Sequence, residues 1–205
     1  MATIISFVSQ KGGVGKTTSA INLATAFAFG GYSVLMVDLD PQSSIRFSMG
    51  VQNNVSRGTQ ELFLDPEMPM SDLIQETGQE NMEFIFSNVE TLENERAVLE
   101  IGANATHLLE RINEVSDQYD FIVIDAPSST NNMAINAIYA SDLIILPLQC
   151  ENLAIKSLKR FLRSFNELKS IFPNKDLRLA GILLTMFDRK LEIHRRIGQQ
   201  IYKAL

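Results

Sequence analysis

The sequence predicts a mostly parallel, twisted α/β sheet with helices on both faces. Three observations carry that expectation. Short apolar runs rich in β-branched residues, at 3–8, 33–38, 120–125, 142–147 and 177–184, have the length and composition of buried strands. Stretches with helical spacing of apolar residues lie between them, so strand and helix alternate, as parallel pairing with crossover helices requires. Two of the strand runs end in carboxylates, Asp38 and Asp125, at the strand end where open α/β sheets place their ligands.

The first run, Thr3-Ile4-Ile5-Ser6-Phe7-Val8, leads into Gln10-Lys11-Gly12-Gly13-Val14-Gly15-Lys16-Thr17-Thr18. Ser19 to Phe29 then reads as a helix with Ala20, Ile21, Leu23, Ala24 and Phe27 on its packing side. A glycine-rich turn between a strand and a helix is the context of a phosphate loop. Gly12, Gly13 and Gly15 let successive backbone N–H groups turn inward onto an anion. The helix start adds about half a positive charge. Lys16 is placed to reach the outer phosphates, and the Thr17 hydroxyl to ligate Mg²⁺. The ordinary pattern has a glycine five residues before Gly15. Here Gln10 stands there with Lys11 beside it, so the loop carries two lysines.

Gly30-Gly31 closes the first helix as a left-handed cap. The next strand, 33–38, delivers Asp38-Leu39-Asp40-Pro41-Gln42 at its carboxyl end. Residues 43–118 are less regular, with amphipathic pieces near 58–64 and 69–76, a strand at 83–86 and a helix over about 104–115. Strand 120–125 follows, then the turn Ala126-Pro127-Ser128-Ser129 and a helix to about Ala140. Strand 142–147, helix 153–171, strand 177–184 and helix 189–204 complete the pattern. The whole chain, 1–205, reads as a single domain.

A nucleotide held through its phosphates needs Mg²⁺, and that hard cation takes oxygen ligands or waters held by carboxylates. Asp125, at the tip of an apolar strand, fits a Walker-B role. Asp38 and Asp40 are two residues apart and so share a side. One suits the metal's water shell; the other suits orienting or activating an attacking water.

Composition narrows the classes. Hydrophobic residues make up 45% of the chain, enough for a packed core. The longest apolar runs, such as Leu143-Ile144-Ile145-Leu146, are far short of a membrane span. Residues 1–9 lack a basic leader, and the expected location is the cytoplasm, in association with the nucleoid. Cys150 stands alone, which argues against a disulfide framework or an iron–sulfur centre. The net charge of −6 is unevenly spread: residues 150–205 hold 12 of the 18 Lys and Arg but 5 of the 24 Asp and Glu, a local +7. Such a chain can present a basic face despite its acidic total.

Three motifs together carry a resemblance. Lys11-Gly12-Gly13-Val14-Gly15-Lys16-Thr17-Thr18, Val37-Asp38-Leu39-Asp40-Pro41-Gln42 and Ile124-Asp125-Ala126-Pro127-Ser128 resemble those of the deviant-Walker P-loop ATPases of the ParA/MinD family. Ser141 to Glu151 and Leu184-Thr185-Met186-Phe187-Asp188 look like its ParA branch. The resemblance runs from residue 2 to about 190 and is weakest from 50 to 115. It implies ATP and Mg²⁺ as cofactors and a partner-stimulated ATPase with weak basal activity. Lys11 would be the signature lysine, reaching the nucleotide across an ATP-sandwiched homodimer. Lys16 would be the phosphate lysine in cis, and Thr17 a Mg²⁺ ligand. Asp40 would be the switch carboxylate for hydrolysis and Asp125 the Walker-B Asp, both near the metal through water. Two departures stand out: Ala126-Pro127 replaces the usual Pro-Pro, and the family usually continues past residue 205 with a further segment.

The branch implies a partition ATPase that binds DNA non-specifically, is stimulated by a ParB-like or cargo-adaptor protein, and positions a plasmid, chromosome region or protein cargo. Lys156, Lys159, Arg160 and Arg163 form one basic stripe on helix 153–171, opposite an apolar stripe of Ile155, Leu158, Leu162 and Phe165. Taken alone, the basic stripe is also what a solvated helix face looks like. A MinD-like membrane cycle would need a C-terminal amphipathic anchor. Helix 189–204 carries Ile193, Ile197 and Ile201 at i+4 steps but no Trp or Phe, so core packing is expected and a membrane partner is not. A metabolic relative, reductase or ligase, is the remaining alternative, and a cluster-binding reductase would need several cysteines.

Overall fold

The computed structural model describes residues 1–51, 55–172 and 176–204. Its elements in chain order are β1 Thr3–Phe7, α1 Lys16–Phe29, β2 Val34–Asp38, α2 Ser44–Ser48, α3 Thr59–Leu64, β3 Gln75–Glu76, β4 Met82–Ile85, α4 Leu92–Ile101, α5 His107–Ile112, β5 Phe121–Asp125, α6 Asn132–Ala140, β6 Leu143–Gln149, α7 Ala154–Ile171, β7 Arg178–Thr185 and α8 Glu192–Ala204. The sheet has seven strands in the order β3-β4-β2-β5-β1-β6-β7. Every pairing is parallel except that of the short edge strand β3 with β4.

Alternation along the strands divides the core into two layers. Leu35 and Val37 of β2 and Ile122 and Ile124 of β5 join a layer with residues of α3 through α8. Val34 and Met36 of β2 and Val123 of β5 face the other way, onto α1. The expected helices on both faces are therefore present. On α1 the residues fully against the sheet are small: Ala20, Ala24 and Ala28. Ile21, Leu23 and Phe27 fill in from the sides. Gly31, at φ 85°, supplies the left-handed residue that ends α1.

The observed elements differ from expectation in several places. The first helix starts at Lys16 rather than Ser19, so the phosphate loop runs straight into it. The helix expected over 104–115 contracts to α5, because Glu114, Val115 and Gln118 donate three residues back and form turns. The piece at 69–76 divides into a 3-10 turn, Met70–Leu73, and β3. Finally, α2 and α4 occur where the sequence pattern gave no helix. Of α4 only Val98 is buried, so its apolar periodicity is weak.

At the carboxyl end, α7 buries Ala154, Leu158, Phe161 and Phe165. Phe161 takes the place in the buried stripe expected for Ile155 and Leu162, which lie at its edge. On α8, Ile197 and Ile201 are buried and Ile193 packs against the same core, as a core helix requires. Among the described residues no helix is long and apolar enough to cross a membrane.

Of the glycines, Gly58 at the entry to α3 has the least room for a side chain. A Cβ on Gly58 would lie 2.1 Å from the Phe86 carbonyl oxygen, so only glycine fits. Gly58→Ala should destabilise the fold by about 1–3 kcal/mol through forced backbone shifts. Urea unfolding of the two proteins measures this, and equal midpoints would contradict the observed approach.

Candidate functional site

β1, β2 and β5 are neighbours in the sheet, and their carboxyl ends meet on one edge. The register pairs Phe7 with Asp125 and Asp38 with Asp125. The loop after β1 and the carboxylates of β2 and β5 are therefore adjacent by construction. Gly13 and Gly15 adopt left-handed φ values of 73° and 79°, which side chains seldom tolerate. The loop they shape ends at the start of α1, where the Ser19 hydroxyl donates back to the Gly15 carbonyl at 2.7 Å.

Lys16 is buried, and its Nζ donates to Asp125 Oδ1 at 2.7 Å. The same Nζ lies 3.6 Å from Asp40 Oδ2. Thr17 Oγ1 donates to the other oxygen, Asp125 Oδ2, at 2.5 Å. Four residues named from the sequence, Lys16, Thr17, Asp40 and Asp125, thus form one cluster. Burial raises the pKa of Asp125, and the neighbouring Lys16 charge and the Lys16 and Thr17 hydrogen bonds oppose that rise.

Asp38 does not share the role of Asp40. It is fully buried, and burial followed by the charge of Asp125 pushes its pKa well above the usual carboxylate value. Its Oδ1 accepts from the Asp40 N–H at 3.0 Å and its Oδ2 from the Ile45 N–H at 3.4 Å. Asp38 therefore shapes the 38–45 loop, while Asp40, at 15% side-chain exposure, faces the open site.

A cavity of about 700 Å³ opens above the cluster. Gly12, Gly13, Gly15, Lys16, Thr17 and Thr18 line it together with Asp40. Val14 is buried beneath the loop and lines a neighbouring groove instead. That groove also holds Lys11, whose Nζ forms an ion pair with the Glu151 carboxylate. Lys11 thus stands outside the cavity that Lys16 enters. Sequence reading missed Glu151 as its partner, and it missed Ser48, Glu95 and Asn131, which also line the cavity. Motif spacing gives no signal for these residues, because tertiary folding alone brings them to the site.

Lys156, Lys159, Arg160 and Arg163 are all exposed on α7. Arg160 departs from the other three by lining the grooves beside Gln10 and Phe161. Among the described residues none of the four makes a salt bridge to a carboxylate.

Residues 2–179 match the family described as an AAA domain. The chain is also 32% identical over 204 residues to the sporulation initiation inhibitor protein Soj of Bacillus subtilis, across 99% of this chain and 80% of that protein. The chain belongs to the ParA/MinD family of P-loop ATPases. It is likewise 32% identical over 199 residues to the chromosome partitioning protein ParA of Myxococcus xanthus, covering 97% of this chain and 70% of the relative. A crystal structure of cobyrinic acid a,c-diamide synthase from Mycobacterium smegmatis, with bound ADP and magnesium, superimposes with a TM-score of 0.89 at 29% identity, covering 100% of this chain and 83% of that one. Members of the ParA/MinD fold thus include partition proteins and a synthase, and function has to be argued from the site.

The raised pKa of Asp38 has a measurable consequence. The folded state holds this proton more tightly than the unfolded chain does, so its contribution to stability is complete below the ordinary carboxylate pKa of about 4. It is lost progressively as pH rises through the elevated value. Asp38→Asn removes the titration, so the stability of the native protein minus that of the variant should shrink from about pH 5 to about pH 8. Urea unfolding at both pH values tests this, and a constant difference would mean that Asp38 titrates normally.

Proposed function

We propose that this protein is an ATP-dependent, dimerising partition ATPase that binds DNA without reading its sequence and positions a plasmid, chromosome region or protein cargo under the control of a ParB-like or adaptor partner. The observation that carries the reading is the pairing of one buried lysine, Lys16, inside the phosphate cavity with a second, Lys11, held outside it. A phosphate loop acting alone needs only the first.

In this reading the loop N–H groups and Lys16 bind the phosphates of ATP. Lys16 trades its carboxylate partners for phosphate oxygen when nucleotide enters. The oxygens of Thr17, Asp125 and Asp40 form a hard donor set that fits Mg²⁺, Thr17 directly and the carboxylates through water. Mg²⁺ held by these residues would supply positive charge to the phosphoryl group being transferred. Asp40, the one carboxylate of the β2 pair that faces the cavity, orients the attacking water. Lys11 leaves Glu151 and reaches the nucleotide of a second protomer, where its charge supports the transition state as an arginine finger does.

ATP hydrolysis and nucleotide-dependent mass test this chemistry together. Lys16→Ala should lose nucleotide binding. Asp40→Ala should bind ATP, form a dimer by light scattering and turn over at least tenfold more slowly. Lys11→Ala should bind ATP and remain a monomer. Native turnover by Asp40→Ala would refute the role given to that residue.

Dimerisation also couples nucleotide state to DNA. One copy of the α7 stripe touches few phosphates, and two copies double the number, steepening the salt dependence by about 0.9 per contact. No base need be read. Lys159→Glu with Arg163→Glu should weaken binding to unrelated duplexes and lower the salt slope by about 2 to 4 per dimer, with ATP-driven dimerisation unchanged. Mobility-shift titrations at two salt concentrations give the slope, and an unchanged slope would remove α7 from the DNA face.

A further inference from the structure

The parallel ladder between β2 and β4 stops at the pair Val37 and Ile85. Beyond it the two strand ends are joined by a residue from neither strand. Thr59, the first residue of α3, is completely buried. Its N–H donates to the Phe86 carbonyl at 3.0 Å and its hydroxyl to the Asp38 carbonyl at 2.5 Å. The absent Cβ of Gly58 is what lets α3 come this close. Around it the polar groups are satisfied in series. Glu61 accepts from the Gly58 N–H at 2.8 Å and from the Asn88 amide at 2.7 Å, and Asn88 accepts from the Gln60 N–H at 2.8 Å.

The Asp38 carbonyl is the root of the loop that carries Asp40. From that root the loop is held by the Asp38 carboxylate on the Asp40 N–H and by the Asp40 carboxylate on the Gln42 N–H. On the other flank, the Leu39 N–H donates to the Asp125 carbonyl at 3.0 Å. Without the Thr59 hydroxyl, a buried carbonyl two residues from Asp40 would have no donor on the α3 side. Backbone in that position rotates to regain a partner, because an unpaired buried carbonyl is costly. The Asp40 carboxylate would move with it, and small displacements of a catalytic group cost rate far more than binding.

We infer that Thr59 is a positioning residue for ATP turnover, fixing the Asp40 loop from outside the phosphate cavity. This rests on the reading of Asp40 as the turnover carboxylate, so Asp40→Ala serves as the control. Thr59→Val removes the hydroxyl at nearly constant shape, and Thr59→Ser restores it. Steady-state ATPase assays give kcat, and titration with a fluorescent ATP analogue gives affinity. Thr59→Val should keep nucleotide affinity within about threefold and lose about tenfold to a hundredfold in kcat. Thr59→Ser should return kcat to within about threefold of the native value. A residue that only supports the fold would lower both parameters together, and Ser would not rescue selectively. Should Thr59→Val fail to fold, Thr59→Ala gives the same comparison with Ser. Native kcat in the hydroxyl-free variant, or a loss that Ser does not restore, overturns the inference when Asp40→Ala is inactive. Native kcat in Asp40→Ala would instead strike at the underlying reading of Asp40.

Discussion

The interaction on which the rest depends is the contact of Asp125 with both Lys16 and Thr17. It joins the tip of a central strand to the first turn of the first helix. A buried carboxylate is tolerable only where charge and hydrogen bonds compensate it. Lys16, itself buried, has the same requirement in reverse. Each group therefore keeps the other in place, and together they hold the phosphate loop against the sheet. The parallel register makes this possible, because β1, β2 and β5 deliver their carboxyl ends side by side.

The β2 carboxylates illustrate how a sheet edge divides labour. Asp38 and Asp40 look equivalent in sequence, two residues apart at a strand end. In the fold, Asp38 is sealed in and takes backbone N–H groups, while Asp40 stands at the cavity wall. The difference comes from what packs over the strand end, namely α2 and the entry to α3. It is not written in the motif itself.

That contrast marks what was legible in the sequence. Glycine spacing, the strand before the loop and the helix after it are local signals, and in the fold Lys16, Thr17 and the loop glycines line one cavity. The alternation of apolar runs gave the sheet and the helices on both faces. Signals failed where structure depends on distant approach. The five-residue α2 is too short for periodicity, and the charged face of α4 hides its few apolar contacts. Glu151 and Thr59 carry ordinary side chains in ordinary stretches, and only folding brings one to Lys11 and the other to Asp38. On α7 the buried stripe is Ala154, Leu158, Phe161 and Phe165, which is offset around the helix from the stripe of Ile155, Leu158, Leu162 and Phe165 that apolar spacing implies.

The alanines of α1 tie site geometry to core volume. Ala20 and Ala24 are completely buried, and Ala28 nearly so, one helical turn apart along the line where the helix rests on the sheet. They act as a spacer whose thickness is set by a single methyl group. A larger side chain at any of them would lift the helix, and its amino end carries Gly15, Lys16 and Thr17 upward with it. Core-filling substitutions, ordinarily a route to a more stable protein, would on this helix loosen the grip on phosphate. Tolerance to mutation along α1 should therefore follow side-chain size rather than hydrophobicity, even at positions well removed from the chemistry.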